Sequence, residues 1–143
     1  MICFPDVNVW VALIVAEHIH NRAAKAWYEQ AEWEMLVFSR ITQTGFLRML
    51  ANSHVMGKRV VSAQDAWAIV DDLCGNGSIR FALEPPGIEQ AWRDLTPAAQ
   101  SGSSFWTDAY LAAFARTSGY TLVTFDRGLA RYGNTPVKLL SGA

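Results

Sequence analysis

Short apolar runs alternate with stretches of helical periodicity along the whole chain, and this alternation most constrains the fold. The runs are Ile2–Phe4, Met35–Phe38, Ile79–Leu83 and Thr121–Phe125, with a further edge strand near Val137–Leu140. Strands interleaved with helical segments predict an α/β/α sandwich with a central, mostly parallel sheet of four to five strands. The segments between read as helices at Val7–Ala16, His20–Trp33, from Ser39 or Thr42 to Ala51, from Ser62 to Gly75, at Ile88–Leu95 and at Trp106–Thr117. A short helical turn is expected at Gly128–Tyr132 and a small polar loop at Gln100–Ser104. The second helix carries the stripe Ala23, Ala24, Trp27 and Ala31. Ser62 with Asp65 three residues on is a capping-box start.

With 143 residues, 51% of them hydrophobic, the chain has the size and material of one domain spanning 1–143. Twelve basic and thirteen acidic residues leave a net charge of −1, which gives no general attraction to a polyanion. A nucleic-acid partner therefore needs a local positive rim and a cation over any acidic centre. Cys3 and Cys74 make no disulfide framework and read as two buried thiols. Met1–Phe4 runs into Pro5-Asp6 without a basic leader, and Val7–Ala16 is too short to span a bilayer. The expectation is a cytoplasmic protein with no membrane association.

Three aspartates stand where chemistry is done in such folds. Asp6 and Asp126 each follow an apolar strand, and Asp108 opens the most apolar helix. The carboxyl ends of parallel strands gather along one edge, and ligands bind there. Each acid alone has a structural use: Asp6 and Asp126 are good N-caps, and Asp108 suits a first helical turn. All three meeting at one edge would repel one another unless a cation joined them. Their hard oxygen donors suit Mg²⁺ or Mn²⁺ rather than zinc. Such an ion neutralises phosphate and lowers the pKa of bound water, so phosphodiester hydrolysis needs no nucleophilic side chain.

Four blocks carry a family resemblance. They are Asp6-Val-Asn8-Val-Trp-Val-Ala-Leu, Thr42-Gln43-Thr-Gly45-Phe-Leu-Arg48, Thr107-Asp108-Ala-Tyr-Leu-Ala-Ala, and Leu122-Val-Thr124-Phe-Asp126-Arg-Gly-Leu. In this order and spacing the chain resembles PIN domains of the VapC toxin family. The resemblance implies an Mg²⁺- or Mn²⁺-dependent endoribonuclease acting on structured RNA such as tRNA or rRNA. It implies a cognate VapB-type antitoxin whose C-terminal segment covers the acidic groove, and a homodimer. Carried over by position, Asp6, Asp108 and Asp126 are the acidic metal-site residues, with Asn8 and Thr124 as polar neighbours.

Gln43 departs from the family, which commonly has a glutamate on this helix. An amide oxygen can hold a metal-bound water but adds no charge, so weaker metal binding is expected. Gln43 is counted with the site, and Glu84 and Glu89 are the acids available to replace the missing carboxylate. Arg48 reads either as a phosphate contact or as a structural arginine. Trp27, Trp67 and Trp92 fit core packing or a dimer face, whereas Trp10 and Trp106 lie near the acids and read as groove borders. His18, His20 and His54 show no ligand spacing and read as surface residues. A second reading is a PIN-like module that binds RNA or protein without cutting it. A receiver-type regulatory domain fits less well, because no phosphoacceptor aspartate ends a middle strand.

Overall fold

The structure, a computed structural model, describes residues 1–30, 32–96, 102 and 104–141. The strands are β1 (Ile2–Pro5), β2 (Met35–Phe38), β3 (Ile79–Phe81), β4 (Thr121–Thr124) and β5 (Val137–Leu139). All pair in parallel, in the order β3-β2-β1-β4-β5. The expected sheet is present, with five strands. The helices are α1 (Val7–Ile14), α2 (Asn21–Gln30), α3 (Arg40–Leu50), α4 (Ser53–Met56), α5 (Ala63–Cys74), α6 (Ile88–Leu95) and α7 (Ser104–Ser118). Single 3-10 turns cover Gly57–Arg59 and Arg127–Arg131.

Strand side chains alternate between the two faces of the sheet. Cys3, Leu36, Phe38, Ile79 and Val123 join Trp10, Trp27, Phe46, Leu50 and Val70 in one buried cluster. Phe4, Val37 and Leu122 join Leu111, Phe114 and Ala115 in another. Helices α1, α2, α3 and α5 thus cover one face, and α7 covers the other. Ala109 and Leu111–Ala115 are all buried, because small side chains on most of its surface let α7 lie against the sheet.

Several elements begin where the cap chemistry dictates. Asp6 caps α1 by accepting the Val9 N–H, Ser39 and Thr42 form a reciprocal box at the start of α3, and Ser62 accepts the Asp65 N–H at α5. Gly119 ends α7 with φ 73°, a left-handed conformation that costs glycine little. Gly45 has a different role. A Cβ built there would lie 2.5 Å from Val7 Cγ2, so its missing side chain is what lets α3 approach α1.

Some sequence expectations are corrected. Trp10 does not border a groove. It is fully buried and stacked on Phe38, with ring centroids 3.9 Å apart. Cys74 is exposed; only Cys3 is a buried thiol. His18 and His20 are half-buried rather than on the surface, and the His20 ring stacks on Phe125 at 4.3 Å. Trp67 stays half-exposed on α5. Helix α4, capped by Asn52, was not expected, since four residues are too few to show periodicity. Ala31 and most of the predicted Gln100–Ser104 loop lie outside the described residues.

The topology places the site. From β1 the chain moves outward through β2 to β3, then returns to β4 on the other side of β1. The strand order reverses between β1 and β4. At that switch point the connections leave in opposite directions, and a crevice opens beyond the strand ends.

Candidate active site

Asp6 and Asp126 flank this crevice. Asp6 continues β1, and its backbone N–H donates to Val123 O at 2.9 Å. Its side chain is almost fully committed. Oδ1 accepts the Val9 N–H at 3.1 Å, and Oδ2 accepts the Thr124 hydroxyl proton. With 6% of its surface exposed, the carboxyl is pushed up to about 6, chiefly by burial. The Thr124 hydroxyl and the Val9 and Asn8 backbone N–H groups oppose that rise, and the charge of Asp126 adds to it.

Thr124 is the link between the two acids. While its hydroxyl donates to Asp6, the same oxygen accepts the Asp126 N–H at 2.9 Å. Asp126 is exposed, and its Oδ1 accepts the Gly128 N–H at 2.7 Å, which caps the turn Arg127–Arg131. Asp126 is thereby held at the end of β4 with its side chain turned to solvent.

Asp108 stands one turn inside α7, because that helix begins at Ser104 and not at Trp106. The first turn therefore holds no acid, and the helix dipole accounts for less of its placement. Burial raises its carboxyl above the ordinary range, Asp126 raises it further, and the Arg131 guanidinium pulls it back down. Asp126 thus acts electrostatically on both Asp6 and Asp108. Among the described residues, no three acidic, histidine or cysteine side chains stand close enough to hold one ion. The aspartates share a field rather than a ready-made cage.

The remaining expected site residues divide. Gln43 is buried on α3, but its Oε1 accepts a hydrogen bond from Arg40 Nη1. A guanidinium can only donate, so the atom facing it is the amide oxygen. The oxygen expected to hold a metal-bound water is therefore engaged, and the NH₂ is the free end. The Asn8 side chain is exposed, and its backbone N–H is what assists Asp6. Arg48 is exposed on α3 and lines a groove. Glu84 and Glu89 are occupied elsewhere. Glu84 accepts the Tyr110 hydroxyl at 2.5 Å, Glu89 pairs with Arg93 at 3.4 Å, and neither joins a group of three acids among the described residues. Arg40 and Arg131 were visible in the sequence only as two of several scattered basic residues. The one cue to Arg131 was its position five residues past Asp126, within the predicted turn Gly128–Tyr132.

Residues 3–134 of this chain match the PIN domain. The chain belongs to the PIN-domain family. It is 36% identical to ribonuclease VapC41 of Mycobacterium tuberculosis over 95% of its own length and 97% of that protein's. It is 34% identical to ribonuclease VapC29 of the same organism, over 87% of this chain and 86% of the relative. Among solved structures, VapBC2 from Rickettsia felis, bound to a promoter DNA fragment, aligns with a TM-score of 0.71 at 14% identity over 99% of this chain and 100% of that one. VapC20 of M. tuberculosis, a sarcin–ricin loop cleaving toxin, aligns with a TM-score of 0.64 at 22% identity over 94% of this chain and 98% of that one. The structural likenesses concern the fold. In this PIN domain the acids of β1 and β4 lie at the switch point of the sheet, joined through Thr124.

Proposed function

We propose that this chain is a VapC-type toxin, an endoribonuclease that hydrolyses phosphodiester bonds of structured RNA and is restrained by a cognate VapB-type antitoxin. The observation that carries the reading is the Asp6–Thr124–Asp126 linkage at the sheet switch point, in a chain 36% identical to a VapC ribonuclease. The whole chain, residues 1–143, acts in this reading as one PIN domain, paired as a homodimer.

The donor set fits a divalent ion. Mg²⁺ binds through one or two carboxylates and keeps several waters, so a complete cage of protein ligands is not required. The buried Asp6 carboxyl, raised by desolvation and by Asp126, gains when a cation arrives. Asp6 and Asp126 would hold Mg²⁺ or Mn²⁺, with Asp108 beside them. When bound, the ion supplies phosphate neutralisation and a water of lowered pKa.

The chain's own residues set the geometry. Thr124 and the Val9 N–H fix both oxygens of Asp6, so little reorganisation is left for binding. The Gly128 N–H orients Asp126. Asp108 holds a proton more readily than a free aspartate, and Arg131 next to it offers a positive charge for the substrate phosphate.

The test is cleavage of purified tRNA and rRNA by the intact chain with Mn²⁺, compared with EDTA and with Asp126→Asn. Cleavage should need the metal and drop by at least about a hundredfold in the variant, the order seen when a key electrostatic group is lost. Intact RNA under all conditions rejects the reading. A second reading, a PIN-like module that binds without cutting, draws on Gln43 and on the lack of three converging acids among the described residues. Calorimetric titration with Mn²⁺ separates the two, because an inert module gives no carboxylate-dependent heat.

A further inference from the structure

A groove with a volume of about 980 Å³ runs beside the acids, at the upper end of the range for small-ligand pockets. Val7, Arg40 and Ala82 line it just past the carboxyl ends of β1, β2 and β3, so the groove opens on the same edge of the sheet as Asp6 and Asp126. Its far wall is aromatic. Trp106 on α7 is 51% exposed, although tryptophan carries a large apolar area that folding normally hides.

This ring is held from several sides. Phe105 lies against it with centroids 4.6 Å apart, and Trp92 of α6 meets it edge-on at 6.2 Å. Trp92 is fixed in turn, because its indole N–H donates to the Trp106 backbone oxygen at 2.9 Å and its ring meets Tyr110 edge-on. A rigid, half-open indole has lost its freedom before any ligand arrives, which lowers the cost of binding.

The opposite wall is cationic. Arg40 and Arg48 project from α3 two turns apart, and neither has a carboxylate partner among the described residues. The Arg40 guanidinium lies 4.4 Å from the Phe81 ring centroid, a cation–π contact. Among the described residues lining the groove the one acid, Glu84, accepts the Tyr110 hydroxyl. Two cations without a carboxylate partner among the described residues, facing an aromatic wall, suit a polyanion with flat, unstacked bases better than a neutral apolar segment.

We propose that this groove is a base-stacking subsite for RNA, in which an unpaired nucleobase lies on Trp106 while Arg40 and Arg48 take the flanking phosphates. The proposal rests on the RNA reading above and adds to it the residues that would hold one unpaired nucleotide: Trp106 for its base, Arg40 and Arg48 for its phosphates. Aromatic platforms with arginines select unpaired bases because a helix hides the base faces.

The experiment measures binding in EDTA, where nothing is cut, by fluorescence anisotropy. The probes are a labelled twelve-nucleotide single-stranded RNA, the same strand annealed into a duplex, and the same strand with abasic sites. For the single strand, Trp106→Leu should weaken binding by about tenfold, within the range for losing one base–aromatic stack, and Trp106→Tyr should retain most of it. With the abasic strand and the duplex the same substitution should change little. Equal losses on all three probes, or none on the single strand, overturn the proposal. So does a Trp106→Leu chain that keeps full RNA binding but no longer captures its antitoxin, which makes the groove a protein site. Metal-dependent cleavage, assayed separately, still reads the proposed activity if the stacking idea fails.

Discussion

Thr124 stands opposite Asp6 across the seam between β1 and β4, donating its hydroxyl proton to the carboxylate while accepting the Asp126 N–H. The register Pro5↔Val123 dictates this, since the next residue on each strand is Asp6 on one side and Thr124 on the other. Thr124→Val keeps the shape and removes both bonds, leaving the buried Asp6 oxygen and the Asp126 N–H without partners. The expected cost is about 1–3 kcal/mol of stability. Thr124→Ser should recover most of it. Denaturant unfolding of the three proteins checks this, and equal midpoints for valine and threonine would contradict the linkage.

The pH dependence of stability follows from Asp6. Folding raises its carboxyl to about 6, so the folded chain holds the proton more tightly than the unfolded one. No penalty is felt below about pH 4. As pH rises through the window from about 4 to about 6, stability falls, by about 3 kcal/mol in total from this group. In EDTA, Asp6→Asn should therefore match the parent at pH 4 and melt several degrees higher at pH 7.5. Added Mn²⁺ should raise the melting temperature of the parent but not of Asp6→Asn. A variant less stable than the parent at pH 7.5 in EDTA shows that burial does not penalise this charge.

Gly45 of α3 packs directly against the Val7 side chain of α1. An added Cβ would meet Val7 Cγ2 at 2.5 Å, and a β-branched side chain on a helix has few rotamers in which to give way. Gly45→Ala should cost about 1–3 kcal/mol despite the better helix propensity of alanine. Combining it with Val7→Ala should restore part of the loss. Strictly additive effects in this double-mutant cycle would mean that the two residues do not touch.

Gln43→Glu is a test of what the departure from the family costs. The Arg40 guanidinium already donates to the side-chain oxygen, so a glutamate there gains a charge-assisted bond. The expected outcome is a small gain in stability, under about 1 kcal/mol because Arg40 is exposed. Mn²⁺ affinity should change less than about threefold, since Arg40 neutralises the new charge. A tenfold or larger gain in Mn²⁺ affinity by calorimetry would place the side chain among the metal ligands instead.

Much of the fold was legible because it is written in local patterns. Met35–Phe38 and Ile88–Leu95 have the predicted boundaries, since apolar runs and caps act over a few residues. The acids Asp6 and Asp126 stood out because each ends an apolar strand. Legibility failed where partners are distant in sequence. Trp10 looked like a groove residue from its nearness to Asp6, yet only the packing of α1 on β2 shows it stacked under Phe38. Glu84 and Glu89 looked available until Tyr110 and Arg93 were found bound to them.

The sequence by itself determined which residues become strands and helices, which ones cap them, and that acids follow the first and fourth strands. Those are consequences of periodicity and of hydrogen-bonding groups next to one another in the chain. Only the tertiary structure decided the strand order β3-β2-β1-β4-β5, which brings residues 118 positions apart into one hydrogen bond. It also decided which way the Gln43 amide faces and that Trp106 stays half open on the groove wall. Burial, desolvation and the field of one aspartate on another depend on distances through space, and those exist only once the sheet has closed.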